Sequence, residues 1–216
     1  MGGVLVIDKA FDRRGFLQAG LVTSVSIGLG LETHRVVRPP VGIDLEELRQ
    51  DIDERPADLV GRAVEQGWRV VCDETVLSRP VQWQEELAGA LGQYRVELAS
   101  VEAVVDLGRV TFASESLPVR RGVLRRLDAA IGSARALRCR HLLVVPGRMA
   151  NDVSPQVARS RVAGLLAECS RRAGWAGMRV VVVPIDRGSD HPELAVPTRQ
   201  ELVEVQFAHG CEQARS

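Results

Sequence analysis

Asp186, Asp190 and His191 stand close together, just after the apolar run Met178–Pro184. Carboxylate oxygens and an imidazole nitrogen in one short stretch are donor types that hold a divalent cation. The same residues also suit an ordinary polar loop built from Asx turns and a helix cap. Glu74 and Asp73 follow the run Trp68–Cys72. A carboxylate at a strand end can bind a hydroxyl or take a proton from carbon. Arg148 follows Pro146-Gly147, and a guanidinium grips a phosphate through a bidentate fork. Glu102 and Asp106 follow a third strand-like run, whereas His141 begins its run and suits a structural role. Gly28-x-Gly30 lacks the third glycine and the following helix of a dinucleotide-binding loop.

These residues need elements to position them. Apolar residues at Ala57, Leu59, Val60, Ala63 and Val64 predict a helix from Pro56 to Gln66, stopped by Gly67. Trp68–Asp73 reads as a strand. Val81–Leu91 reads as a helix and Tyr94–Val101 as an alternating strand, with a loop around Gly108 and Pro118 beyond it. Val123, Leu124, Leu127, Ala130, Ile131, Ala134 and Leu137 repeat at three and four, predicting a long helix over Val119–Leu137. His141–Gly147 is an apolar strand closed by Pro-Gly. Ser154-Pro155 supplies an N-cap and a first-turn proline for a helix reaching about Ala173. Met178–Pro184 is a further buried strand, and Pro197–Ala208 a last helix. Alternating helices and continuous Val/Leu strands mark an α/β fold with a parallel sheet. Periodicity leaves two architectures open, a TIM-barrel-like βα repeat and an open doubly wound sheet. In both, ligands bind outside the carboxyl ends of the strands.

The 216 residues are enough for one domain with a substantial core, and 45% apolar content makes the chain globular. Lys+Arg and Asp+Glu both number 28. With no net charge and only 4% aromatics, the chain lacks both the basic field and the stacking platform of a nucleic-acid binder. Arg120-Arg121 and Arg125-Arg126 have the spacing of a solvated helix face. Cys72, Cys139, Cys169 and Cys211 form no C-x-x-C pair and no zinc-type spacing. Cys72 and Cys169 read as small core residues.

Arg13-Arg14-Gly15-Phe16-Leu17 heads a mildly apolar run reaching Leu31, diluted by glycine, serine and threonine. Paired arginines followed by x-Phe-Leu are the pattern of a twin-arginine export signal. The run is too weakly apolar to span a membrane comfortably. Asp12 replaces the usual Ser or Thr, and no Ala-x-Ala precedes Glu32. The expected organisation is a signal segment at 1–33, a linker or first loop at 34–55 and a βα domain at 56–216. The protein would be exported, periplasmic or extracytoplasmic, through the twin-arginine translocase. In the competing reading, Gly3-Val4-Leu5-Val6-Ile7-Asp8 is a first parallel strand, and the chain is a cytoplasmic doubly wound domain, beginning at Val4, that binds a nucleotide or phosphate.

Three stretches carry a family resemblance. They are A-D-L-V-G-R-A-V-E-Q-G-W-R-V-V from Ala57, R-R-L-D-A-A-I-G-S-A-R-A-L-R-C-R-H-L-L-V-V-P-G from Arg125, and L-L-A-E-C-S-R-R-A-G-W-A-G-M-R-V-V-V-V-P from Leu165. Through them, from about Pro56 to Gln206, the chain resembles the xylose isomerase-like TIM barrels, the sugar phosphate isomerase/epimerase family. The resemblance implies a divalent metal (Mn, Mg, Co or Zn) at the carboxyl ends of the strands, held by oxygen ligands and histidine. It implies isomerisation or epimerisation of a small carbohydrate or sugar phosphate, by proton transfer between neighbouring carbons. Asp186, Asp190 and His191 fall on the loop where the family places its site. The chain departs from the pattern at two places. Val183 stands where the family has its first metal-binding Glu, and Val145 or Pro146 where a His is frequent. A complete barrel takes about 250 residues, and on this alignment the chain reaches about the fifth strand. The alternative expectation is therefore a non-catalytic or truncated relative that binds a carbohydrate or partner chain, with exposed strand edges favouring a homo-oligomer.

Overall fold

The computed structural model describes residues 4–6, 42–51, 53–148 and 152–182. Within them lie strands β1 (Val4–Val6), β2 (Ile43–Asp44), β3 (Val70–Cys72), β4 (Glu97–Leu98), β5 (Val101–Val105), β6 (His141–Val145) and β7 (Arg179–Val182). The helices are α1 (Leu45–Leu48), α2 (Pro56–Glu65), α3 (Val81–Tyr94), α4 (Leu117–Ala136) and α5 (Pro155–Trp175), with a 3₁₀ turn at Val76–Ser78.

All the strand pairs are parallel, in the orders β2-β3-β4 and β5-β6-β7-β1. Only Ala99 and Ser100 separate β4 from β5. Ala99 still donates its N–H to Val71 O at 2.9 Å, so the β3 ladder hands over directly to the β6 ladder. From β2 to β7 the strands follow sequence order with helices between them. A doubly wound sheet would reverse direction partway; this one does not. The fold is an α/β partial barrel with the TIM-type βα progression.

Local chemistry accounts for the elements. Pro56 and Pro155 occupy first helical turns, where a missing N–H is harmless, and Ser154 Oγ accepts from Val157 N at 3.4 Å. In α4 the buried residues Val123, Leu127, Ala130 and Ala134 keep the spacing of one helix face. The strand residues Leu142, Val144, Val180, Val181 and Val182 are fully buried, as a parallel sheet covered by helices requires. Cys72, Cys139 and Cys169 are buried free thiols. Burial pushes Cys72 and Cys169 up to about 12 and Cys139 up to about 11, so none is a reactive thiolate near neutrality.

Three boundaries differ from the sequence reading. Tyr94 closes α3 instead of opening a strand, because Arg95 turns left-handed (φ 53°) and donates its N–H to Leu91 O. The strand then continues through Val105, with a register shift between Glu102 and Val104. The stretch expected as linker contributes β2 and α1, whose Leu45 and Leu48 enter the core. Val4–Val6, inside the stretch read as a signal, pairs with β7.

Leu127 sits with no exposed surface at the centre of the α4 face. Leu127→Ala is expected to lower unfolding free energy by about 2–5 kcal/mol through lost burial and a residual cavity. Urea denaturation of the two proteins checks this.

Candidate functional site

Because every strand is parallel, their carboxyl ends share one edge. Asp44 ends β2, Asp73 and Glu74 follow β3, Asp106 follows β5, and Arg148 follows Pro146-Gly147 after β6. The register sets Asp44 opposite Cys72, next to Asp73.

Asp73 is the buried centre of this edge, at 2% exposure. Its Oδ1 accepts from Thr75 N at 2.8 Å and Thr75 Oγ1 at 2.7 Å, an Asx turn that fixes the chain leaving β3. Its Oδ2 has no hydrogen-bond partner among the described residues and lies 3.7 Å from Arg79 Nε. Arg79 comes from the end of the 3₁₀ turn, ion-pairs with Glu46 and rests over Trp83, 5.1 Å from the ring centre. Glu46 also pairs with Arg49 at 3.2 Å. Asp44 caps α1 by accepting from Glu46 N at 2.9 Å.

Burial raises the Asp44 carboxyl above its ordinary range, and the charge of Arg79 only partly offsets it. Burial likewise raises Asp73. The Thr75 bonds and Arg49 oppose that rise, and the negative charge of Asp44 adds to it. Burial is thus the main cause of both shifts, and the negative charge of Asp44 favours the protonated form of Asp73 further.

Across the sheet, the turn after β6 is clamped to the loop after β5. Thr111 Oγ1 donates to Pro146 O at 2.8 Å, Phe112 N donates to the same oxygen at 3.3 Å, and Arg148 N donates to Arg109 O at 2.8 Å. Gly147 has φ +78°, and a Cβ there would lie 2.5 Å from Thr111 Oγ1 and 2.6 Å from Arg109 O. Only glycine fits. This clamp fixes the backbone of half-buried Arg148.

Glu74 is also half-buried and lies on the same edge. Asp106 is half-buried and 3.8 Å from Arg126, while Glu102 lies within β5 rather than beyond it. His141 starts β6 at the opposite edge. Its Nδ1 is 3.1 Å from Ala99 O, and burial lowers its pKa. Asp186, Asp190, His191 and Val183 lie outside the described residues, as do Arg13, Arg14, Phe16 and Leu17. Among the described residues no group of three or more His, Cys, Asp or Glu is placed to hold a metal ion. The described donors alone therefore do not make a metal site. Asp44, Thr75 and Arg79 escaped the sequence reading. A two-residue strand has no periodicity, and Arg79 is one arginine among many. The Asp44-x-Glu46 cap preceding Leu48 was the one available signal.

No protein-family model matches this chain, and no curated protein matches it. Solved structures do. AP endonuclease family 2 from Brucella melitensis superposes with a TM-score of 0.60 at 17% identity, over 77% of this chain and 63% of that one. D-psicose 3-epimerase from Clostridium cellulolyticum H10, solved with D-tagatose, gives 0.58 at 11% identity, over 76% and 58%. The IolI protein, solved with a zinc atom, gives 0.56 at 13% identity, over 76% and 56%. At these identities the likeness is one of fold. The chain shares the parallel βα architecture of these structures and spans under two thirds of their length.

Folding favours the protonated forms of Asp44 and Asp73, since both carboxyls are raised from the ordinary 3.8. Their contribution to stability is fully present below that value and is lost as pH rises through the raised folded values. Asp73→Asn removes one of these titrations. The variant is therefore expected to gain on the wild type as pH rises from about 4 toward 7. Denaturant unfolding across that range checks it, and a gap that moves the other way would contradict it.

Proposed function

We propose that the carboxyl edge binds a small carbohydrate or sugar phosphate and either moves a proton between neighbouring carbons, as an isomerase does, or removes and returns one at a single carbon, as an epimerase does. The observation that carries this reading is the Asp44–Asp73–Glu74 group at the edge where TIM-type βα folds bind their substrates. Two of its members, Asp44 and Glu74, are half-buried rather than sealed. Glu74 acts as the carboxylate that takes the proton, and Asp44, whose carboxyl burial raises above its ordinary range, as the partner that gives one back. Asp73, held by Thr75 and Arg79, keeps both at their stations. Arg148 contacts a phosphate or a sugar oxygen. The fold likeness to D-psicose 3-epimerase supports the reaction class.

A divalent cation belongs to the same proposal. Asp186, Asp190 and His191 would hold Mn²⁺, Mg²⁺, Co²⁺ or Zn²⁺, which would polarise a sugar oxygen. Export through the twin-arginine translocase, on Arg13, Arg14, Phe16 and Leu17, is also proposed.

One observation favours a second reading, a non-catalytic carbohydrate- or partner-binding relative. Val145 or Pro146 stands where the family has a frequent His, and Val145 is an apolar residue at 2% exposure. No donor projects from it.

Incubation with ketohexoses and ketohexose phosphates in D₂O separates the two. The catalytic reading expects deuterium at a substrate carbon, lost about 100-fold or more in Glu74→Gln. Binding without any deuterium incorporation would leave the second reading standing. Melting with Mn²⁺, Mg²⁺, Co²⁺ and Zn²⁺ is expected to show an upward shift, since a ligand of the folded state stabilises it by mass action. The shift is expected to vanish when Asp186 and His191 are both alanine. The Arg13→Lys, Arg14→Lys double variant is expected to stop export, and normal export of that variant would contradict the signal.

A further inference from the structure

Strand β1 has no place in a removable leader. It pairs in parallel with β7 over Val4↔Val180, Leu5↔Val181 and Val6↔Val182. The progression from β2 to β7 advances one stave at a time, and β1 stands where the next stave of a barrel would come. Without it, the outer edge of β7 would offer a row of unpaired N–H and C=O groups. That edge belongs to a strand whose Val180, Val181 and Val182 are fully buried, so bare peptide groups there would lie beside apolar core.

The far end of the intervening segment is anchored too. Gly42 is packed so closely that a Cβ would lie 2.9 Å from the Val70 backbone, and Ile43–Asp44 pairs with β3. Val4–Val6 and Ile43–Asp44, on either side of residues 7–41, are thus both paired in parallel ladders. No Ala-x-Ala site interrupts the sequence before Glu32.

We propose that Val4–Val6 is a permanent stave of the sheet, so that the twin-arginine-like segment is retained in the folded protein and is never cleaved from it. The inference is independent of the carbohydrate reading. It requires only that the β7 edge be covered from within the same chain. Export and retention are compatible, because a twin-arginine substrate crosses folded.

Three measurements on the full chain test this. Amide hydrogen exchange is read at Arg179–Val182 in wild type and in Leu5→Pro, a substitution that a paired strand tolerates poorly. Exchange there is expected to accelerate by about tenfold, the equivalent of one lost hydrogen bond. Unchanged exchange in a folded Leu5→Pro would overturn the proposal. A second variant decides the matter if Leu5→Pro does not fold. The Leu5→Cys, Val181→Cys pair joins register partners, whose separation suits a disulfide. Mild oxidation is expected to give an intrachain cross-link by mass spectrometry, with Leu5→Cys, Leu142→Cys, on the strand beyond β7, as the control. No cross-link, or one found only between chains, would overturn it. The intact mass of protein recovered from the expressing cell, in whichever compartment it accumulates, is expected to include Val4–Val6. A mature chain starting beyond Val6 would overturn the proposal.

Discussion

Parallel pairing of short apolar strands is the constraint from which the rest of the molecule follows. A parallel ladder needs a crossover between successive strands, and the crossovers here are the helices that cover the sheet. The strands must then be apolar on both faces, as the adjacent, oppositely facing pairs Leu142-Leu143 and Val180-Val181 are. The same pairing gathers the carboxyl ends along one edge and brings Asp44, Asp73, Glu74, Asp106 and Arg148 to that edge from four separate parts of the sequence. Chemistry at that edge is a consequence of topology before it is a property of any one residue.

What stabilises the edge differs between its two halves. On the β2–β3 side a buried carboxyl organises the chain: Asp73 holds Thr75 through two hydrogen bonds and faces Arg79, which is itself tied to Glu46 and Trp83. On the β6 side the organisation is backbone-made. Pro146 O receives two donors from the loop after β5, and Gly147 allows a contact that any side chain would block. The first half is tuned by charge and is sensitive to pH. The second is set by sterics and is not.

Much of the fold was legible because its helices are long and regular. The three–four spacing from Val123 to Ala134 and the Ser154-Pro155 start reported α4 and α5 to within a few residues of their ends. The Val-rich runs reported β6 and β7. The end of α3 was misread because Tyr94 and Val96 look like strand residues, and nothing in their types announces a left-handed Arg95. β2 is two residues long and carries no pattern. At the site, strand-end position pointed to Glu74, Asp73 and Arg148, since a residue just after an apolar run reaches the edge. Arg79 reaches it through a 3₁₀ turn, and Asp44 through a strand that exists only because β3 lies beside it. Neither follows from spacing. The parallel order, sequential from β2 to β7, removed the doubly wound alternative that periodicity had left open.

The central claim is that one edge, and not the other, is the binding surface. Hydrogen–deuterium exchange of the full chain with and without free ketohexoses and ketohexose phosphates tests it most directly. Protection is expected in the segments around Asp44, Asp73–Arg79, Asp106–Phe112 and Pro146–Arg148. Protection instead around Gly67–Arg69, Arg95–Glu97 and Arg138–His141 at the amino edge, or none in a folded protein, would contradict the account.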